Sequence, residues 1–182
     1  VGTDSEPALG GESTTGYQRN IQINYAGRTL NTHTHYIATT EDFRAELGFQ
    51  NRFFRNDTDG IHNRVGLTFY PEGTALNFYE TSVMMVYLKD MDGTKIYDEV
   101  SPGLSFNFDN TEVGFGYSDH SEILRPKDFA GITSTTPYKY DTWRVNFSNN
   151  ALNSIEFGAG YRAGTTLNLV PPRGSLPNIA DT

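Results

Sequence analysis

From Gly16 onward, apolar and polar residues alternate along this chain. Ile21, Ile23 and Tyr25 stand against Gln22 and Asn24, and Val65, Leu67 and Phe69 against Arg64, Gly66 and Thr68. The same holds for Leu104, Phe106 and Phe108, for Val113, Phe115 and Tyr117, and for Trp143, Val145 and Phe147. Ile155, Phe157, Ala159 and Tyr161 alternate with Glu156, Gly158, Gly160 and Arg162. Successive strand side chains point to opposite faces, so a period of two means a β-strand with one apolar and one polar face.

Turn-forming clusters punctuate these runs: Ala26-Gly27, Asn56 to Gly60, Pro71-Glu72-Gly73, Asp90 to Gly93, Asp109-Asn110 and Asn149-Asn150. Gly, Asn and Asp accept the positive φ that tight hairpins require. Hairpins join antiparallel neighbours, so the pattern predicts an all-β fold, an antiparallel meander of about nine strands. They fall near 17–25, 29–38, 44–55, 61–70, 74–89, 95–108, 111–119, 138–148 and 152–169. Segment 76–90 is the best helix candidate, but Val83, Met85 and Tyr87 make no helical stripe, and it is predicted as strand. One long surface loop is expected from His120 to Pro137, a candidate binding loop.

The flanks differ. Residues 1–15 are small, polar and aperiodic and are expected to be a flexible tail or loop, 16–170 to hold the strands, and 171–182 to be a Pro-rich loop. The sequence opens at Val1 with no Met, no charged leader region and no apolar leader segment, so a signal peptide is expected to be absent or already removed. Both ends are expected to be cuts in a longer chain.

Composition narrows the partners. With 182 residues and a net charge of −8, the chain presents an acidic surface that repels phosphate backbones, so no nucleic-acid partner is expected. It has no Cys, which excludes disulfides and thiolate metal sites. Mean hydropathy is −0.52, and no stretch approaches the roughly 20 apolar residues of a membrane-spanning helix. A membrane barrel remains open, because its alternating strands keep mean hydropathy low.

Alternation by itself does not separate a membrane barrel from a sandwich in water; they differ only in whether lipid or protein covers the apolar side. The polar faces favour the barrel. They carry Arg64, Glu112, Arg144, Glu156 and Arg162 among Gly, Asn, Ser and Thr, a mixture suited to an enclosed polar interior. Tyr25, Tyr36, Phe49, Phe69, Tyr70, Tyr87, Tyr117 and Tyr161 are placed to form aromatic girdles.

The segment TLNTHTHYIATTEDFRAELGFQNR, Thr29 to Arg52, adds a resemblance. Its aromatic-ended strand at Tyr36, then Asp42-Phe43, Gly48-Phe49 and Arg52, resembles the C-terminal barrel region of an uncharacterised Gram-negative bacterial family. That family carries an N-terminal family-9-like carbohydrate-binding module. The chain departs from the family pattern at Gln50 and Phe53. The resemblance implies an outer-membrane-type β-barrel; the module itself is absent, so no sugar-binding residue carries over.

Candidate chemistry is sparse. His33 and His35 share a strand face and would bind Zn or Cu only if a third ligand converged; His62 and His120 stand at no diagnostic spacing. These histidines are read as polar residues of the interior or rim. Asp57 to Gly60 and Asp90 to Gly93 resemble fragments of calcium loops, with Glu99 after the second, but read better as hairpin turns. Tyr138, Tyr140 and Trp143 could stack on sugar but suit an interfacial belt better. Glycines at 114, 116, 158 and 160 mark places where inward bulk is avoided. No motif for acid–base, nucleophilic or phosphate chemistry occurs.

The expectation is therefore a non-enzymatic segment of a bacterial outer-membrane β-barrel, with no catalytic, cofactor or metal residues. Its expected partners are membrane lipid and the remaining strands of the same longer chain, with carbohydrate a further candidate. Channel, transport or anchoring of a carbohydrate-binding module are the candidate roles. The alternatives are a secreted β-sandwich that binds glycans through the 120–137 loop, and a non-catalytic part of a carbohydrate-active hydrolase.

Overall fold

A computed structural model describes residues 15–43, 56–127, 131–152, 155–169 and 175–182. Nine strands occur in them: β1 (Gln18–Ala26), β2 (Leu30–Thr39), β3 (Thr58–Phe69), β4 (Phe78–Asp90), β5 (Lys95–Phe108), β6 (Thr111–Leu124), β7 (Thr136–Leu152), β8 (Ile155–Asn168) and β9 (Asn178–Asp181). They form one sheet in the order of the sequence, each strand antiparallel to the next. The described residues contain no helix, and 78–90 is strand as predicted.

The all-β meander stands, but its nine strands are not the predicted nine. The segment predicted at 44–55 lies outside the described residues, as do Gly48-Phe49 and Arg52 of the resemblance. The short strand β9 lies in the stretch read as Pro-rich loop; four residues between prolines and chain end give too brief an alternation to register.

Three predicted turns or loops also change. The long 120–137 connection shrinks to 125–135, because β6 continues to Leu124 and β7 begins at Thr136. Residues 120–122 read as loop because both faces there are polar; partners across the sheet satisfy them. Asn149-Asn150 is still strand, with the Asn150 amide donating to the Asn110 carbonyl at 2.9 Å. Thr58 to Gly60 is the start of β3, not a hairpin turn. Gly60 is needed there for space: a Cβ would lie 2.5 Å from the Tyr87 carbonyl and collide with the Leu88 side chain. Other turns form as expected. Gly93 takes φ 94° and donates to the Asp90 carbonyl at 2.8 Å, and Asp109 takes φ 36° between β5 and β6.

The sheet curls with its polar side inward. Arg64 on β3 and Thr166 on β8 line one hollow although five strand steps separate them. A flat sheet would hold strands that far apart at roughly 24 Å. Among the described residues β1 and β9 do not pair with each other, so the sheet is open.

The outward face is apolar and bare. Ile21, Ile23, Tyr25, Val65, Leu67, Val83, Met85, Val100, Leu104, Phe115, Val145, Phe147 and Phe157 are all exposed on it, with Trp143 60% and Tyr161 69% exposed. Among the described residues strands pack only on their sheet neighbours, so no second layer covers this face. Along β5 the apolar outward positions run from Val100 to Phe108, with Pro102, Leu104 and Phe106 between. Asp98 follows on β5, while Asp119 on β6 and Asp141 on β7 stand in register with Val100 itself, so the apolar band ends there on a slanted border.

The buried core sits on the inward face at that acidic end. Val86, Leu88, Ile96 and Tyr97 form one cluster; Leu124, Ile132, Tyr140 and Leu167 form another, flanked by Tyr138 and Leu169. Arg125, buried just after β6, reaches the Asp90 carboxylate at 2.5 Å. Lys127 pairs with Asp57 and lies 3.4 Å from Asp90. The strands are thus tied together at one end and reach out as bare ribbons at the other.

Candidate functional site on the polar face

In an antiparallel sheet, residues in register share a face, so the polar face is a set of cross-strand rows. One row runs His35, His62, Val86, Glu99, His120, Tyr140 from β2 to β7. The row above it runs Ile37, Gly60, Leu88, Tyr97, Glu122, Tyr138. Two rows below lie Asn31, Gly66, Ser82, Gly103, Gly116, Arg144 and Arg162.

The curl of these rows encloses a hollow of about 400 Å³, lined among others by Arg64, Glu99, His120, Tyr140, Arg144 and Arg162. Small residues make its floor. The missing side chain at Gly116 leaves room for the Arg144 guanidinium, whose Nη2 would lie 3.5 Å from a Cβ there. Arg64 is paired with Glu80 and donates to Asn31 Oδ1 at 3.1 Å. Arg144 and Arg162 are neighbours in register on β7 and β8 and make the far wall cationic.

A hydrogen-bonded network closes the hollow at the core end. Glu99 is nearly fully buried and accepts from Tyr97 Oη at 2.7 Å and Ser101 Oγ at 2.5 Å. His120 Nδ1 lies 2.9 Å from Tyr97 Oη, and its ring stacks on Tyr140 at 4.6 Å and 15°. Glu122, with no exposed surface, accepts from Tyr140 Oη at 3.0 Å. Buried carboxylates are tolerated when donors satisfy them. Tyr97→Phe removes one donor and leaves Glu99 under-satisfied. The expected cost is about 1–3 kcal/mol of stability, measured as the shift of a urea unfolding midpoint against wild type.

The candidate residues of the sequence divide. His33, His35 and His62 come together, one ligand atom from each lying within 4.8 Å of the others, and the rings of His33 and His62 are 5.2 Å apart. His120 is apart from them, in the Tyr97–Glu99 network. The two calcium-like fragments do converge, but around the protein's own cations. Asp90 is held by Arg125 and Lys127, and Asp57 by Lys127. Burial, the largest single influence, would raise the Asp90 carboxyl, and the hydrogen bonds with Arg125 and Asp57 together with the charges of Arg125 and Lys127 more than reverse it, holding the group below the usual carboxylate range. Burial likewise opposes the charge of Lys127, and its hydrogen bond to Asp57 together with the negative charges of Asp90 and Asp57 outweighs that and raises the ammonium.

The three aromatics at the end of the long connection do not form one platform. Tyr138 and Tyr140 belong to the inward face, where Tyr138 Oη donates to the Pro177 carbonyl at 3.0 Å, and Trp143 stands on the outward face against Tyr117. Sequence reasoning missed Tyr97, Glu99 and Glu122 as a unit. The available signal was polar alternation at period two, Tyr97-Glu99-Ser101 beside Ser118-His120-Glu122. Compared with known proteins, the chain matches no family model, no curated sequence and no solved structure.

Proposed function

We propose that this chain is a segment of a bacterial outer-membrane β-barrel whose polar face lines the interior and whose apolar face meets lipid. The observation that carries this reading is the bare apolar band from β1 to β8. A contiguous apolar surface of this breadth is a strong liability in water and a requirement in a bilayer. On β5 the band covers nine residues, Val100 to Phe108, and a tilted strand needs about 9–11 to cross the hydrocarbon. The aspartates at its border, Asp98, Asp119 and Asp141, are where strands would leave the lipid for water. Every strand pairs along most of its length with a sheet neighbour, as backbone in lipid must. Further strands of the same longer chain would pair with β1 and with the Ile155–Gly164 stretch of β8.

The polar face suits a hydrated passage or a binding wall with local cationic character at Arg144 and Arg162. Transport, conduction or anchoring of an exported carbohydrate-binding module are the roles this arrangement serves. Fractionation tests the reading. The chain is expected in the detergent-extracted outer-membrane fraction, with a gel mobility that changes on boiling. Recovery in the aqueous fraction, with one mobility before and after heating, would remove it.

A further inference from the structure

We propose that His33, His35 and His62 form a three-imidazole binding site for a late first-row divalent metal ion, with Zn²⁺ the best fit. The register builds it. His33 and His35 are two apart on β2 and so share its inward face, and His62 on β3 is the direct partner of His35. One ligand atom from each ring already lies within 4.8 Å of the other two. A tetrahedral zinc with bonds of about 2.0–2.1 Å asks its donors to stand about 3.3 Å apart, a distance that small side-chain rotations reach.

Two neighbours on β1 orient the rings. Asn24 Oδ1 lies 2.6 Å from His33 Nδ1, and Asn20 Oδ1 lies 2.8 Å from His35 Nε2. An amide oxygen that accepts a ring N–H fixes the tautomer and leaves the opposite nitrogen with its lone pair, as in metal sites where an outer group holds the ligand histidine. Gln22 Nε2 also stands 3.5 Å from His33 Nδ1. Polar histidines scattered on an inner wall explain none of this convergence. Arg64 stands opposite His33, and its charge is engaged by Glu80. Three nitrogens without sulfur select Zn²⁺, Cu²⁺, Ni²⁺ or Co²⁺ over Ca²⁺ and Mg²⁺, and three protein ligands leave a fourth position open. The site does not depend on whether lipid covers the outward face.

Co²⁺ is the probe, titrated into the full chain without a histidine tag, folded in detergent micelles, and followed by its visible absorption. The expected result is one saturable Co²⁺ per chain with the intense bands of a tetrahedral site, displaced by Zn²⁺ and not by Ca²⁺. His35→Asn and His62→Asn should each weaken binding by at least about 100-fold, Asn24→Ala by about 10-fold, and His120→Asn should leave it unchanged. A second readout needs no variant. Sub-stoichiometric Cu²⁺ should broaden the imidazole proton signals of three histidines and spare the fourth, His120. Absence of saturable binding at millimolar Co²⁺, binding that survives His62→Asn, or equal broadening of all four histidines would each overturn the site.

Discussion

Val83→Arg is expected to stop this chain from assembling in lipid vesicles while leaving its strands able to form in detergent. Val83 lies mid-band on the outward face, in register with Val65 on β3 and Pro102 on β5, and is itself exposed. An arginine at the bilayer midplane of a barrel costs about 2–4 kcal/mol, a large part of a folded domain's net stability. If the same face met only water, the substitution would fall within about 0.5 kcal/mol of neutral. Asp119→Arg is the matched control: it is on the same side of the sheet but at the border of the band, in register with Val100. Near the interface the cost falls to about 0–1 kcal/mol. Urea titration of vesicle-refolded protein, read by boiling-dependent mobility, separates the two. Equal folding yields for Val83→Arg and wild type would mean that hydrocarbon does not touch this face.

Arg125→Met is the second large effect, and it acts at the opposite end of the strands. Arg125 is buried, its guanidinium sits 2.5 Å from the Asp90 carboxylate, and the Asn56 and Asp57 carbonyls lie 3.4 Å away. Removing the guanidinium leaves the buried Asp90 with Lys127 as its cation, 3.4 Å away, and breaking a buried pair in this way costs about 3–5 kcal/mol. Replacing both partners, Arg125→Met with Asp90→Leu, should recover much of that loss, because no uncompensated charge remains. The pH dependence has a definite sign. The Asp90 pKa is depressed in the fold, so its contribution is present above the unfolded value of about 3.9 and is lost as pH falls through the folded one. Wild type should therefore lose stability on acidification below about pH 4, and the double variant should lose less. A melting experiment across acid pH checks both. An Arg125→Met variant as stable as wild type would show that the pair does not tie the strand ends together.

Where one face was apolar, the strands were legible. β1, β2 and β5 match the alternation to within a residue, and segment 78–90 was correctly taken from helix to strand because its apolar residues fall at period two. The reading failed where both faces are polar. His120 and Glu122 look like loop in isolation, and become inward strand positions because Tyr97 and Tyr140 lie across from them with hydroxyls to offer. Gly60 looks like a turn and is instead a gap that admits Leu88. The histidine cluster was half visible. His33 and His35 are a local pair, but His62 joins them only through the register of β2 on β3, which no spacing along the chain encodes.

What the sequence determined by itself is the class of secondary structure and the two-sidedness of every strand, since both follow from a period that each residue shares with its near neighbours. Which residues meet across the sheet, and that the charges of Asp57, Asp90, Arg125 and Lys127 converge on one ion-paired knot, were decided only in three dimensions. The direction of curl belongs there too, with the apolar side outward and uncovered. The reason is physical. Pairing register and curvature are set by side chains dozens of positions apart, and a one-residue slip would send every one of them to the other face.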